Sequence, residues 1–271
     1  MTVLVTGATG NIGRRVVDHL LAAGATGVRA LTADPRRAAL PAGVEVVVGH
    51  LCRPDTVAPA LVGVDRMYLA PVPETAAAVL DLAVAAGVRH VVDLSGEHES
   101  WWGGVTRAVE ASGAAWTHLW PGDFMENTFS WAPQVRATGT VREPWPHGAS
   151  APIAMDDIAA VAAVALAGDE HIGRALSLTG PETLTRVELL DRLATALGRE
   201  LRFVESTRDE AVAALAEAMG EDAGWYVDAV LAGSAEHAPG PDPTVEQVLR
   251  RPATTFARWA AAHADRFRPV G

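Results

Sequence analysis

Thr6-Gly7-Ala8-Thr9-Gly10-Asn11-Ile12-Gly13 carries the strongest chemical signal in the chain. It follows a β-branched run directly and leads into apolar residues at helical spacing. In that setting a glycine-rich turn presents backbone N–H groups and the positive end of a helix to a pyrophosphate. Gly7 permits the tight turn, Gly10 the approach of a phosphate, and Gly13 the close packing of helix on strand. The ligand such a turn predicts is a dinucleotide; a turn kept for structure alone is the alternative. Roughly twenty residues past Gly13, Asp34 is placed to hold a ribose hydroxyl or to cap the chain before Pro35. Arg36 and Arg37 are placed to meet a ribose phosphate, or else to stand in solvent on the first turn of a following helix.

Proton chemistry concentrates in Ser95-Gly96-Glu97-His98-Glu99. An imidazole titrating near neutrality can give or take a proton, so His98 is the acid–base candidate, with a merely solvated loop histidine as the alternative. Glu97, His98 and Glu99 make no metal site, because adjacent side chains do not converge on one ion. His118 reads as a core or edge histidine, His147 lies in a proline-rich loop, and Cys52 reads as a small apolar residue. Of eight tryptophans, six fall between Trp101 and Trp145, enough to wall a pocket for a flat apolar substrate. Aromatic packing under a long loop, with Trp116 in the core, is the alternative.

These residues need a frame. Val3–Val5, Val28–Leu31, Val44–Val48, Val64–Leu69, Val91–Leu94 and Trp116–Leu119 are apolar runs of strand length without polar alternation, as in strands buried on both faces. Ile12, Val16, Val17, Leu20 and Leu21 mark a helix stopped by Gly24, and further helices fit Asp55–Leu61, Thr75–Ala86 and Gly104–Ser112. The pattern predicts a doubly wound parallel α/β sheet over residues 1–150, with ligands at the carboxyl ends of its strands. Residues 151–271 are expected to form a smaller, mixed α/β substrate-covering subdomain interleaved with the first. It should hold an amphipathic helix after Asp157, one capped by Thr185 and ended by Gly198, an Ala-rich one from Thr207 towards Gly220, a loop over His237–Thr244, and a terminal helix around Phe256–Phe267.

Composition removes several functions. The net charge is −11 and arginines cluster no further than the pairs Arg14-Arg15, Arg36-Arg37 and Arg250-Arg251, which argues against a nucleic-acid partner. The chain contains no Lys, which rules out a Schiff base, a Walker lysine or a Tyr-Lys catalytic pair. One cysteine makes neither an internal disulfide nor a zinc centre. No apolar run is long enough to span a bilayer and no basic leader precedes the first strand, so the expected compartment is the cytoplasm.

The glycine turn, Trp120-Pro121-Gly122-Asp123-Phe124-Met125-Glu126-Asn127 and Leu178-Thr179-Gly180-Pro181-Glu182 together carry a family resemblance. So do Ala86-Gly87-Val88-Arg89-His90-Val91-Val92 and Thr255-Phe256-Ala257-Arg258-Trp259. The chain resembles NmrA-like atypical short-chain dehydrogenases/reductases, of the branch that includes NADPH:quinone oxidoreductases and redox-sensing regulators. The resemblance implies a Rossmann fold and an NAD(P)H-dependent oxidoreductase acting on a quinone-like or enone-like carbonyl compound, with NADP(H) favoured and NAD(H) open. A non-redox isomerase or cyclase, and a nucleotide sensor without catalysis, are the alternatives. A homodimer is left open, and neither nucleic acid nor membrane is an expected partner.

Cofactor contacts are expected at Gly7, Thr9, Gly10, Asn11, Ile12, Gly13, Thr32, Arg36, Arg37, His50, Leu51, Ala70, Pro71, Ser95, Pro121 and Gly122. Substrate contacts are expected at Trp101, Trp102, Phe124, Met125, Asn127, Trp131 and Trp145, between Ser95–Trp102 and Phe124–Trp131 under the helices after Thr207. Ser95, where such reductases place an active-site serine, and His98 are the catalytic candidates; Ser95 otherwise reads as a satisfied strand-end hydroxyl. Ala33 stands where NADPH-preferring relatives carry an Arg, His50 where they carry an Asp, and Trp120 where they carry an Arg before the proline.

Overall fold

The structure, a computed structural model, describes residues 1–36, 38–236 and 240–268. Its strands are β1 (Val3–Val5), β2 (Val28–Thr32), β3 (Glu45–Val48), β4 (Arg66–Leu69), β5 (His90–Leu94), β6 (Ala115–Pro121), β7 (Thr140–Glu143), β8 (Ala149–Ser150), β9 (Arg174–Leu178), β10 (Leu184–Thr185) and β11 (Arg202–Glu205). Its helices are α1 (Asn11–Ala22), α2 (Ala58–Leu61), α3 (Ala76–Ala85), α4 (Gly103–Ala111), α5 (Ala132–Thr138), α6 (Met155–Ala167), α7 (Arg186–Leu197), α8 (Arg208–Met219), α9 (Ala223–Trp225), α10 (Ala232–Glu236), α11 (Thr244–Leu249) and α12 (Phe256–Ala262). The chain divides into two compact units: residues 1–121, 155–178 and 244–250 form the first, and residues 122–154, 179–243 and 251–271 the second.

The first unit is a seven-stranded parallel sheet in the order β3-β2-β1-β4-β5-β6-β9, a Rossmann-type doubly wound arrangement with helices as crossovers. Apolar continuity explains the central strands: β1 and β5 are buried at every position. Leu4, Leu61, Met67, Leu69, Leu80 and Val91 anchor the core on one side of the sheet, each large side chain contributing on the order of 2 kcal/mol.

Three expectations need correction. The Val44–Val48 run does form β3, but at the edge of the sheet, where Val46 and Val48 are exposed rather than covered on both faces. A seventh strand, β9, pairs with β6 although its burial alternates, because it occupies the other edge. Helix α6 is buried on nearly all sides, Asp157 included, and so lacks the polar face expected of it.

The second unit is built around helices, with two small sheets pairing β7 with β11 in parallel and β8 with β10 antiparallel. Thr185 caps α7 and Thr207 caps α8, each through a reciprocal capping box with a glutamate three residues on. Gly198 ends α7 in the left-handed conformation at φ +66°. Phe256, Trp259 and Phe267 pack with Leu190 and Leu193 into one core, and Ala211, Leu215 and Val227 form a second. The loop expected over His237–Thr244 lies partly outside the described residues, and Thr244 opens α11. The terminal helix is α12 followed by a 3-10 turn at Ala264–Phe267. Among the described residues no helix is long and apolar enough to cross a membrane.

Candidate active site

In the first unit the glycine turn leaves β1 and runs into α1. Gly7 takes φ +58°, in the left-handed region, and a Cβ there would meet the Ala70 Cβ at 2.9 Å. At Gly13 a Cβ would stand 2.3 Å from the Gly7 carbonyl oxygen, so the helix packs on the turn only because the side chain is missing. The Thr6 hydroxyl donates to the Tyr68 carbonyl at 2.9 Å and accepts from the Ala70 N–H at 2.8 Å, tying the ends of β1 and β4 together. Gly10 is the N-cap of α1 and no side chain caps that helix. The first-turn N–H groups beyond Gly10 are therefore open to an anion, and Thr9, Gly10 and Asn11 are exposed while Ile12 is buried beneath them. The turn thus fits a dinucleotide pyrophosphate: close backbone approach, unsatisfied donors and the positive end of a twelve-residue helix.

Beyond β2, Thr32 is buried and its hydroxyl accepts from the Asp34 N–H at 3.2 Å. Asp34 caps the Arg36 N–H at 3.0 Å. No helix follows here among the described residues: Pro35 and Arg36 form a turn, with Arg36 exposed, and Arg37 lies outside the described residues. A cation that sequence reasoning did not assign to the cofactor stands alongside. Arg14, on the first turn of α1, donates to the Ala39 carbonyl at 2.8 Å and so holds the loop after β2 against the helix that starts at the glycine turn. His50 is exposed, its Nδ1 accepting from the Cys52 N–H at 3.1 Å, while Leu51 is buried and Ala70 and Pro71 are half-buried after β4. Cys52 is a free, exposed thiol.

Ser95 follows β5 directly and is buried, within 3.0 Å of the Thr106 hydroxyl. His98 is exposed on the next loop, with its Nε2 hydrogen-bonded to Glu110 Oε2 at 2.9 Å. That loop is tightly held: the Thr106 hydroxyl donates to the Gly96 carbonyl at 2.6 Å, Arg107 donates to the His98 carbonyl, and a Cβ at Gly103 would stand 2.2 Å from the same oxygen. Trp101 is 69% exposed and Trp102 37%, and Pro121 at the end of β6 is half-buried. Trp116 is half-buried rather than fully in the core.

In the second unit, Gly122 is exposed and Phe124 pairs with Ile153 in an isolated bridge. The Asn127 amide donates to Asp123 Oδ1 at 2.7 Å and the Ser150 hydroxyl to Asp123 Oδ2 at 3.0 Å. The Trp131 indole donates to the buried Glu143 at 2.6 Å, and Arg186 stands 3.5 Å from the other Glu143 oxygen. Arg186 also donates to the carbonyls of Trp145 and Leu231 and to Ser234. Burial pushes Glu143 up to about 7 against the pull of the Trp131 hydrogen bond and Arg186, and pushes Asp123 upward as well. These groups surround a cavity of about 20 Å³ that Asn127, Trp131 and Tyr226 help to line, room for one water and not for an aromatic ring. Met125 and Trp131 are buried in the core of this unit, and Trp145 is half-buried with φ +53°. The acidic cluster was not anticipated from sequence. Among the described residues no group of three side chains could hold a metal ion.

Residues 7–169 match the family model described as NAD(P)H-binding. The chain is 39% identical to a Streptomyces griseus (4-alkanoyl-5-oxo-2,5-dihydrofuran-3-yl)methyl phosphate reductase, with 98% of this chain and 99% of that protein covered. It is 36% identical to an NAD(P)H azoreductase of Xenophilus azovorans, again over 98% and 99%. Its fold is similar to that of a Citrobacter triphenylmethane reductase complexed with NADP(H), at a TM-score of 0.85 and 20% identity over 97% of this chain and all of that one.

Proposed function

The chain belongs to the NAD(P)H-binding family and is an NAD(P)H-dependent reductase of the atypical short-chain type, and from that premise we propose that it reduces a flat, conjugated acceptor. The acceptor class is a quinone or an enone-like carbonyl compound. The observation that carries the reading is the uncapped N-terminus of α1 behind a turn whose glycines leave no space for side chains. Two relatives named as reductases, aligned over almost the whole chain, favour hydride transfer over the isomerase and sensor alternatives.

The cofactor supplies the hydride. Gly7, Thr9, Gly10, Asn11, Ile12 and Gly13 frame its pyrophosphate, with the open first-turn N–H groups beyond Gly10 as donors while the Gly10 N–H stays on the Gly7 carbonyl; Thr32, His50, Leu51, Ala70, Pro71, Ser95, Pro121 and Gly122 are the further proposed contacts. Arg36 and Arg14 neutralise a ribose phosphate, and NADPH is accordingly preferred to NADH. In the first unit Trp101 and Trp102 offer apolar faces to the acceptor, Ser95 holds its oxygen and His98 delivers the proton that accompanies the hydride. In the second unit the proposed substrate contacts are Phe124, Asn127 and Trp145; Met125 and Trp131 are too enclosed to offer more than their edges.

Titration calorimetry with NADPH and NADH tests the cofactor half. Tight NADPH binding that weakens about tenfold in Arg36→Ala, with NADH affinity unchanged, is the expected result, one charge-assisted phosphate contact having that magnitude. Absence of binding to the wild-type protein would refute the reading, and equal affinity for the two nucleotides would remove the role of Arg36.

A further inference from the structure

The proposed chemistry leaves three titratable side chains of the first unit without a role, and they lie in line with His98. Asp93 on β5 and His118 on β6 face each other in the sheet register, both with no solvent exposure, and His118 Nδ1 lies 2.6 Å from Asp93 Oδ2. The other ring nitrogen of His118, Nε2, has no hydrogen bond and points to Glu110 Oε1 at 3.7 Å. Glu110 reaches it from α4, one third exposed, and its second oxygen holds His98 Nε2 at 2.9 Å. Carboxyl, imidazole, carboxyl and imidazole thus alternate from the sheet core to a solvent-facing loop. The His118 ring is stacked between Trp116, at 4.0 Å, and Trp120, at 6.0 Å, which fixes its plane; Trp120 in turn stands edge-on to His98 at 6.2 Å.

Packing does not account for this. A buried ion-pairing couple rarely stabilises a core more than two apolar side chains of similar size, and an orphaned ring nitrogen adds a cost of its own. We infer that Glu110 is the positioning residue of His98 and that the buried Asp93–His118 pair holds Glu110 in place. The inference rests on His98 as the proton donor. With Nε2–H donated to Glu110, Nδ1 is the nitrogen that faces outward. In the protonated ring the Nδ1–H bond breaks, its electron pair stays on nitrogen, and an O–H bond forms on the acceptor that has received the hydride. The neutral ring that remains keeps its Nε2–H on Glu110. A carboxylate in that position orients the imidazole and stabilises its charged form. The other charged groups near His98 are Glu97 and Glu99 on its own loop and Arg107 on α4, which donates to the His98 carbonyl. Burial raises the pKa of Asp93 while its hydrogen bond to His118 opposes the rise.

The test compares His98→Ala, Glu110→Gln and Asp93→Asn with the wild type, using NADPH and 1,4-naphthoquinone across pH. Glu110→Gln should lower kcat about tenfold at unchanged KM and move the basic limb of the kcat profile to lower pH, since the charge that favours the imidazolium is gone. Asp93→Asn should shift the limb the same way by a smaller amount. If His98→Ala loses about a hundredfold while Glu110→Gln changes neither kcat nor the limb, Glu110 has no positioning role and His98 remains the donor. If His98→Ala is as active as the wild type, the donor assignment fails and the positioning role falls with it. A readout independent of turnover is the ¹⁵N shift pattern of neutral His98 in the free protein. Protonation at Nε2 is expected, and an Nδ1–H tautomer overturns the proposal.

Discussion

Burial acts in opposite directions on a base of the first unit, His90, and on an acid of the second, Glu143. In the first, His90 is buried on β5 and stays neutral: Arg66 contacts its Nδ1 at 3.3 Å, and Nε2 meets the Thr117 hydroxyl at 3.0 Å, which itself donates to the His171 carbonyl. Burial, helped by Arg66, holds its pKa down to about 4. In the second, Glu143 is enclosed with Asp123 nearby and is pushed up to about 7. At His90 the parallel sheet keeps a base uncharged by giving each ring nitrogen a partner, and at the glycine turn the groups proposed to meet the pyrophosphate are backbone N–H groups. The helical unit gathers acids around one arginine and one water-sized space, so its polar interior depends on which of them carries a proton.

Breaking the backbone device should have the largest effect. Gly13→Val places a side chain where even a Cβ stands 2.3 Å from the Gly7 oxygen, so the turn must open. NADPH affinity, measured by calorimetry on protein shown folded by circular dichroism, should fall at least a hundredfold, on the order of 3 kcal/mol. Affinity within threefold of wild type would mean that the turn does not hold the pyrophosphate.

The pH response sharpens the contrast. A carboxyl whose folded pKa lies above its unfolded one contributes stability below the unfolded value and loses it as pH rises through the folded value. For Glu143 that window runs from its ordinary 4.5 up to about 7. His90 runs the other way, its contribution complete above 6.5 and lost as pH falls towards about 4. Glu143→Gln should therefore flatten the decline in stability between pH 4.5 and 7, by up to about 3 kcal/mol, without altering the decline on the acid side. Thermal melts of both proteins across that range give the comparison. Parallel melting curves for the two proteins would show that Glu143 does not titrate there.

The smallest effect belongs at the sheet edge. Val48→Thr, on exposed β3, should change stability by no more than about 0.5 kcal/mol in urea unfolding. A loss above about 1.5 kcal/mol would mean that β3 is covered after all.

What could be read in the sequence divides along the same line. The glycine turn and the central strands were legible because backbone conformation and burial on both faces act within a few residues, so Gly7, Gly13 and the runs of β1 and β5 announce themselves. The edges were less so. β3 has the composition of a buried strand without the burial, and β9 alternates because only one neighbour, β6, pairs with it. Thr185 and Thr207 marked the starts of α7 and α8, and the structure adds the reciprocal glutamates. The Asp123, Glu143 and Arg186 cluster was illegible, since its members are scattered along the chain and each alone reads as an ordinary surface charge. Glu110 escaped notice for the same reason: a glutamate near the end of a helix carries no mark of the histidine that it holds.

The discontinuity of the first unit bears on how the chain is made. When a ribosome has released residues 1–150, six of the seven strands exist, but β9 is still to come, and β6 presents a row of unpaired N–H and C=O groups along its outer edge. Helix α6 follows only at Met155–Ala167, and α11 at Thr244–Leu249. The nucleotide-binding half is therefore not a separable module: a fragment ended at residue 150 carries the whole glycine turn and an open, adhesive sheet, and the growing chain must pass through that state before synthesis is finished.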